Sequence, residues 1–381
     1  MKLQLGVIFG GQSVEHEVSI LSAMQLMKEI NKEEVDVIPI YFSKEKRFYI
    51  GKDSEQLKIY RDLTNIKHRL NEVNWIKKNQ QVCLQSSHLF KKPIPIDLVL
   101  PITHGNSGED GKLQGFLDTL DIPYCEGSVL SCALIQDKDM MRKVLSYHDL
   151  KVTNSFTLYK NEFLSDASLL IKQSELITGP WILKPAHGGS SIGIVCCDSI
   201  EELSQSALTC FSFDHKIVVE HRCTNFREFN LALLGDEDCV TCSLIEEVFK
   251  SKEFLSYSDK YGGSYSKGIE STSRQLPAQI DDELRIQIEE MGKAAFMACE
   301  CNGITRVDFL FDLDDEVLYI NEINAIPGSL ATYLFKGQLT KTQIITQLIQ
   351  LAFKKQRVAL KEVRTIETTI LKNENALGIK K

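Results

Sequence analysis

No apolar run in the sequence approaches the roughly 18 residues that a membrane-crossing helix needs. The opening residues, Met1-Lys2-Leu3-Gln4-Leu5, lead into a strand-like apolar segment without a long leader-type core or a small-residue cleavage site, so neither export nor anchoring is expected. A net positive field is also lacking. The 44 Lys and Arg against 52 Asp and Glu leave a formal charge of -8, so neither nucleic acid nor an anionic membrane is an expected partner. Internal repeats and low-complexity segments are absent. Eleven cysteines occur in a chain too long to need disulfide staples, and most are expected to be reduced thiols in a cytoplasmic protein. The one CxxC pair, Cys239 and Cys242, lies in an apolar, strand-like stretch with no second pair, which points to packing rather than to zinc or redox chemistry.

What the sequence does have is length and apolar material. With 381 residues, 43% of them hydrophobic, it can fill two or three packed cores, so a multidomain globular protein is expected. Leu3 to Phe9 is an apolar run closed by Gly10-Gly11, an apolar-periodic helix is predicted from about Val18 to Ile30, and a second run spans Val35 to Tyr41. That order is the β-α-β opening of an open sheet. Lys44 to Lys92 is polar without a clear period and reads as an elaborated surface region. A strand at Ile96 to Leu100, a helix near Leu113 to Leu120, a strand at Asp121 to Tyr124 and a helix from about Asp137 follow. The second half is richer in strands: Trp181 to Lys184, Ile217 to Glu220, Phe229 to Leu234, Val240 to Val248, Ile304 to Phe311 and Val317 to Ile323. Among them, Leu284, Ile288, Met291 and Ala295 share one helical face, with Gly303 as its stop. A helix near Thr342 to Phe353 precedes a polar, lysine-rich tail.

Asp308, Glu322 and Asn324 fall on two consecutive predicted strands. Residues two apart on a strand share a face, so Glu322 and Asn324 converge, and an antiparallel neighbour can bring Asp308 beside them. An oxygen-only set of this kind suits magnesium; polar residues facing solvent are the plain alternative. Arg306 shares the face of Asp308, and a cation among acids suits a phosphoryl or acyl-phosphate transition state. Phosphates need a cradle, yet no G-x-x-x-x-G-K-[ST] pattern occurs. The segment Lys184 to Gly193, KPAHGGSSIG, offers either an ordinary hairpin loop or another cradle, a strand-end lysine followed by small residues whose N–H groups can approach an anion. The HGNSGEDG segment from His104 to Gly111 and the segment from Gly10 to Glu17 each follow a strand, where open α/β sheets place ligand loops. A helix dipole would by itself account for Glu15 or Glu17.

Together and in this order, these segments resemble the D-alanine–D-alanine ligase family of the ATP-grasp superfamily, over nearly all of Leu3 to about Leu334. The resemblance rests on Gly10-Gly11 through Ser19, the HGNSGEDG loop, Asp137-Lys138, the Lys184 to Gly193 loop, Asp259-Lys260-Tyr261, and Arg306 to Asp308 with Asn321 to Asn324 and Pro327-Gly328. It implies an α/β and α+β chain with an ATP-grasp fold. An N-terminal open parallel-sheet, Rossmann-like domain would span 1–135, ATP-grasp subdomains 136–214 and 215–355, and an extension 356–381. The implied reaction, in peptidoglycan precursor synthesis, has two steps: ATP phosphorylates the carboxylate of a first D-alanine, and the amine of a second attacks the acyl-phosphate. By similarity, Glu15 binds the first ammonium in a set with Ser190 and Tyr261, and Arg306 and the Gly328 backbone stabilise the oxyanion. His104, Lys260, Tyr333 and Leu334 would complete the substrate site. Lys138, Lys184, Ser190, Ser191 and Lys260 are implied around the phosphates, and Glu220, His221, Cys223 and Glu228 around adenine and ribose. Asp308, Glu322 and Asn324 would hold Mg2+ or Mn2+. Tyr257 to Gly268 resembles a mobile loop that closes over the site and excludes water. A cytoplasmic homodimer acting on small amino acids is the family expectation.

The sequence also departs from the family pattern. Ala325 follows Asn324 where many members have threonine, and Tyr333 stands five residues past Gly328 where many have serine. The donors for the acceptor amino acid are therefore altered, which leaves D-alanine held differently, D-serine or another small nucleophile as acceptor, as in a D-alanine–D-serine or specialised dipeptide ligase. Glu126 and Gly188 replace a usual glycine and glutamate, and Gln136 a usual methionine.

Overall fold

From Leu5 onward every residue of strand β1 (Leu3–Gly10) is buried. Alternate residues on a strand face opposite ways, so Leu5, Val7 and Phe9 enter one core and Ile8 another. A strand covered on both faces is what an open α/β sheet requires. The computed structural model describes residues 2–87, 92–249 and 273–368. In it β1 pairs in parallel with β2 (Val35–Phe42) and β7 (Leu98–Thr103), and helix α1 (His16–Leu26) crosses between β1 and β2.

These three strands form the open parallel sheet expected from the sequence. β3 (Phe48–Ile50), β4 (Asn71–Lys78), β5 (Gln81–Ser86) and β6 (Ile94–Pro95) continue it antiparallel, giving seven strands in the order β6-β5-β4-β3-β2-β1-β7. Lys44 to Lys92 thus supplies β3, β4 and β5 to the sheet, with the short α2 (Ile66–Arg69) between β3 and β4. Its pattern is faint because only Val73 of the eight β4 residues is fully buried, so backbone ladders rather than apolar alternation hold the strand. The strand expected at Asp121 to Tyr124 reduces to one parallel bridge between Tyr124 and Val99.

α3 (Lys112–Thr119), α4 (Val129–Gln136) and α5 (Lys138–Tyr147) lead to a second, antiparallel sheet. It contains β8 (Ser155–Tyr159), β9 (Trp181–Pro185), β10 (Val195–Cys197) and β11 (Lys216–His221), ordered β10-β9-β11-β8. Leu158, Leu183, Ile217 and Val219 from this sheet form a core with side chains of α6 (Lys160–Ser165), α7 (Ser168–Ser174) and α8 (Ile200–Cys210).

The third sheet is antiparallel and six-stranded: β12 (Phe226–Gly235), β13 (Val240–Cys242), β14 (Glu246–Phe249), β15 (Ser273–Gln275), β16 (Gly303–Asp312) and β17 (Val317–Asn324), with β12 and β16 central. α9 (Asp282–Ala298) buries Leu284, Ile288, Gly292, Ala295 and Phe296, and the expected Met291 packs, half-buried, against the same core. A Cβ at Gly292 would lie 2.8 Å from Leu231 Cδ2, and its absence lets the helix approach the sheet. Glu300 (φ 49) turns the chain out of α9, while Gly303 (φ 85) opens β16 instead of stopping the helix. α10 (Lys341–Ala359) starts on a Thr340–Gln343 capping box and sends Ile344, Ile345 and Leu348 into the core that holds Leu5 and Val7. Each such side chain stabilises by roughly 1.5–3 kcal/mol when withdrawn from water. That shared core clamps the first sheet to the third and fixes the loops between them. No helix among the described residues is long and apolar enough to cross a membrane.

Candidate active site

The register of β16 on β17 pairs Asp308 with Glu322 and Arg306 with Asn324, with a shift after Asp308. The convergence expected from strand periodicity is therefore met. Arg306 grips Asp308 with two parallel bonds, Nε to Oδ1 at 2.6 Å and Nη2 to Oδ2 at 2.7 Å, and Asn324 Nδ2 donates to Oδ2 at 3.2 Å. Burial and the neighbouring Glu322 charge push the Asp308 carboxyl above its ordinary range, although Arg306 pulls it back. A buried carboxylate raised in this way, with the Glu322 carboxylate and the Asn324 amide oxygen beside it, is a donor set that fits a hard divalent cation.

Glu15 precedes α1 but its side chain caps nothing there. Ser190, 175 residues further on, donates its hydroxyl to Glu15 Oε1. Glu15 thus sits at the N-terminus of α1 and is also tied to the Lys184 to Gly193 loop. Glu17 instead pairs with Lys44 at 3.0 Å on the surface. Two glycines let backbone approach the Glu15 carboxylate: a Cβ on Gly105 (φ 68) would come within 2.9 Å of Oε2, and one on Gly189 within 3.0 Å. His104 is buried, with Nδ1 3.0 Å from the Ile326 carbonyl and Nε2 3.4 Å from Ser22 Oγ, and burial lowers its pKa towards a neutral ring.

Glu109 was not singled out from the sequence. Its carboxyl accepts the N–H of Gly105 at 2.7 Å and of Ile326 at 3.1 Å. Burial, helped by the Glu15 charge, pushes it up to about 8. The one available hint was its place inside the HGNSGEDG loop, since the enclosing Ile326 lies 217 residues away.

Glu15, His104, Glu109, Ser190, Arg306 and Gly328 all wall one cavity of about 160 Å3. A second cavity adjoins it, and Lys138, Asp308 and Glu322 border both. Ile182, Ile194, Phe226 and Leu310 give the second cavity apolar sides suited to a flat ring; Lys184, Ser191, Glu220, His221, Cys223 and Glu228 supply its polar rim. Lys138 Nζ donates to the Gly188 carbonyl and lies 3.3 Å from Glu322. Lys184 Nζ bonds Glu220 Oε2 at 3.0 Å and Asn321 Oδ1 at 3.1 Å. Burial would raise the Glu220 pKa, but Arg142 at 3.2 Å and Lys184 hold it below the ordinary value, so it is a carboxylate.

Two expected substrate residues are not part of the wall of either cavity. The Tyr333 hydroxyl donates to Glu246 Oε2 at 2.9 Å and accepts from Arg274 at 3.3 Å, and Leu334 is fully buried in the core. Lys260 and Tyr261, with the whole Tyr257 to Gly268 loop, lie outside the described residues. Tyr333 has no apolar or polar sequence signal for its partner, because Glu246 sits 87 residues upstream on β14.

Comparison with known proteins agrees with this arrangement. The family description "D-ala D-ala ligase N-terminus" matches residues 4–127, and "D-ala D-ala ligase C-terminus" matches 144–351. The D-alanine–D-alanine ligase of Thermosipho africanus is 33% identical over 97% of this chain and 98% of its own. That of Halothermothrix orenii is 36% identical over 92% and 98%. Among solved structures, the D-alanine-D-alanine ligase from Coxiella burnetii aligns with a TM-score of 0.81 at 26% identity, covering 94% of this chain and 96% of that one. The VanG D-Ala:D-Ser ligase from Enterococcus faecalis aligns with a TM-score of 0.78 at 29% identity, over 92% and 100%. Both halves of one family thus match in order along a chain whose sheets bring Glu15, Lys138, Lys184, Arg306, Asp308 and Glu322 to a pair of adjoining cavities, and the chain belongs to the D-alanine–D-alanine ligase family.

Proposed function

We propose that this enzyme uses ATP to join two D-alanines through a D-alanyl phosphate, releasing ADP and phosphate, in the supply of peptidoglycan precursors. The observation that carries the reading is the pair of adjoining cavities with Lys138, Asp308 and Glu322 on their common border. A nucleotide in the second cavity and an amino acid in the first would meet there, phosphate against carboxylate, and phosphoryl transfer is catalysed mainly by such positioning and by charge neutralisation. A carboxylate is a poor electrophile until one oxygen becomes a phosphate leaving group. Glu15, oriented by Ser190, would take the ammonium of the first substrate, and Arg306 with the Gly328 N–H would face the negative charge that develops as the second amine attacks. Lys138 and Lys184 would neutralise phosphates, while Glu220 and Glu228 would read adenine and ribose, with His221 and Cys223 beside them. Mg2+ would sit on Asp308, Glu322 and Asn324 and supply further neutralisation of phosphate oxygens. The reading extends to a cytoplasmic homodimer, which the resemblance implies and sedimentation tests.

The deciding assay measures ADP and phosphate release with ATP, magnesium and D-alanine, L-alanine, D-serine or D-lactate, alone and in pairs, with products identified by mass. Turnover with D-alanine alone is expected, giving the dipeptide; silence with D-alanine and turnover with another pair would overturn the substrate. Tyr333→Ser bears on the acceptor. If the phenol stands in for the usual serine, this change lowers the KM for the second D-alanine several-fold and leaves the first unmoved. An unchanged acceptor KM would assign Tyr333 to Glu246 alone.

A further inference from the structure

The glycine-rich loop is fastened at three successive residues. The Ala186 N–H donates to the Lys216 carbonyl at 3.0 Å, and the Ala186 carbonyl accepts the Lys138 N–H at 3.0 Å. The His187 N–H donates to Asp214 Oδ2 at 2.8 Å, and its carbonyl accepts from Gln136 Nε2 at 3.2 Å. The Gly188 carbonyl accepts from Lys138 Nζ. The His187 ring spans this joint, with Nδ1 2.9 Å from Asp214 Oδ2 and Nε2 3.3 Å from Asp137 Oδ2. Asp137 caps α5 by accepting the Asp139 and Met140 N–H groups, and it immediately precedes Lys138.

We propose that His187, held between Asp137 and Asp214, is a positioning residue that fixes the glycine-rich loop against Lys138 and thereby sets the seat of the nucleotide phosphates. This rests on the nucleotide reading of the second cavity. Past His187 the chain has Gly188 and Gly189, which carry no side chain to anchor it, and then Ser190 and Ser191 in left-handed backbone at φ 52 and 60. The ring is therefore the last anchoring side chain before the turn that carries Ser190 to Glu15. Both ring nitrogens face carboxylate oxygens, which only accept, so the pocket favours the doubly protonated imidazolium.

The surrounding charge favours that form. Asp137 faces it from the cap of α5, and Asp214 and His215 from the approach to β11, with Lys216 and Asp139 paired behind Asp137. Lys216 bonds Asp137 at 2.9 Å and Asp139 at 2.7 Å, Lys143 reaches Asp139 at 2.9 Å, and His215 stacks on the His187 ring 5.8 Å away. The bonds to Asp137 and Asp214 push the His187 pKa up to about 9. The clamp is intact at neutral pH and weakens as pH rises through that value.

The test is nucleotide binding to the whole enzyme, by calorimetric titration with ATP and magnesium at pH 7.5, set beside the KM of each substrate. His187→Gln is expected to weaken ATP binding about tenfold and raise its KM alike, with the D-alanine KM within about twofold. His187→Lys, which keeps a cation between the acids, should recover most of the loss. Wild-type ATP affinity should fall between pH 8 and 10 with a midpoint near 9, and His187→Gln should lack that step. Unchanged affinity in His187→Gln, or an equal loss for ATP and D-alanine that lysine does not rescue, overturns the clamp. A wild-type enzyme that binds no nucleotide overturns the cavity reading and the clamp with it, whereas normal wild-type binding with indifferent variants overturns the clamp alone.

Discussion

Arg306→Lys is expected to lower kcat by about two to three orders of magnitude while the KM values for ATP and D-alanine stay within a few-fold. The guanidinium holds Asp308 through two parallel bonds and still borders the first cavity. On the proposed function it would serve the carboxylate and the developing oxyanion together. An ammonium keeps the charge but offers no planar fork, so it satisfies one of these partners at the expense of the other. On that proposed role the interaction lost would belong to the transition state, so kcat and not KM would carry the effect. Lysine is the informative substitution, because alanine would leave the buried Asp308 carboxylate unpaired and confound catalysis with folding. Steady-state kinetics with a matched unfolding curve check the result, and a kcat within tenfold of wild type would remove Arg306 from the chemistry.

The second large effect concerns stability. Glu126 is 1% exposed; its Oε2 accepts the Ile304 N–H at 3.0 Å and its Oε1 has no hydrogen-bond partner. Burial pushes its carboxyl from 4.5 up to about 8, and the single Ile304 bond only partly offsets this. The folded chain therefore holds a proton that the unfolded chain releases. Its contribution is complete below the unfolded value of 4.5 and declines as pH rises towards about 8. By pH 7 the loss is on the order of 3 kcal/mol. Glu126→Gln keeps an acceptor for Ile304 without the titration, so it should stabilise the protein by about 4 kcal/mol at pH 8 and by less than about 1 kcal/mol at pH 5. Denaturant unfolding at the two pH values measures the difference; an equal difference at both would show that the carboxyl does not titrate across folding.

The two residues behind these predictions were not equally legible. Arg306 could be placed with Asp308, Glu322 and Asn324 because period-2 geometry acts locally and each strand is strongly apolar. The β-α-β opening was legible for the same reason. Glu126 showed only as an unusual residue where the family has glycine; its isolation depends on Ile304, 178 residues away. Glu109 and Tyr333 owe their surroundings to Ile326 and Glu246 in the same long-range manner. In the first sheet, β4 escaped notice because a strand with one buried residue presents no alternation to read.

The bond from Ser190 to Glu15 joins parts of the molecule that the family divides between two separate descriptions, 4–127 and 144–351. Neither stretch alone encloses the first cavity, and separating them would bare the shared face of Leu5, Val7, Ile344 and Leu348. Cut between these stretches, the chain would form two pieces with matching sticky faces and no individual competence. The turnover of such a mixture would follow the product of the two fragment concentrations, as in a heterodimer, and exchanging one fragment for a relative's would test which partners still accept one another.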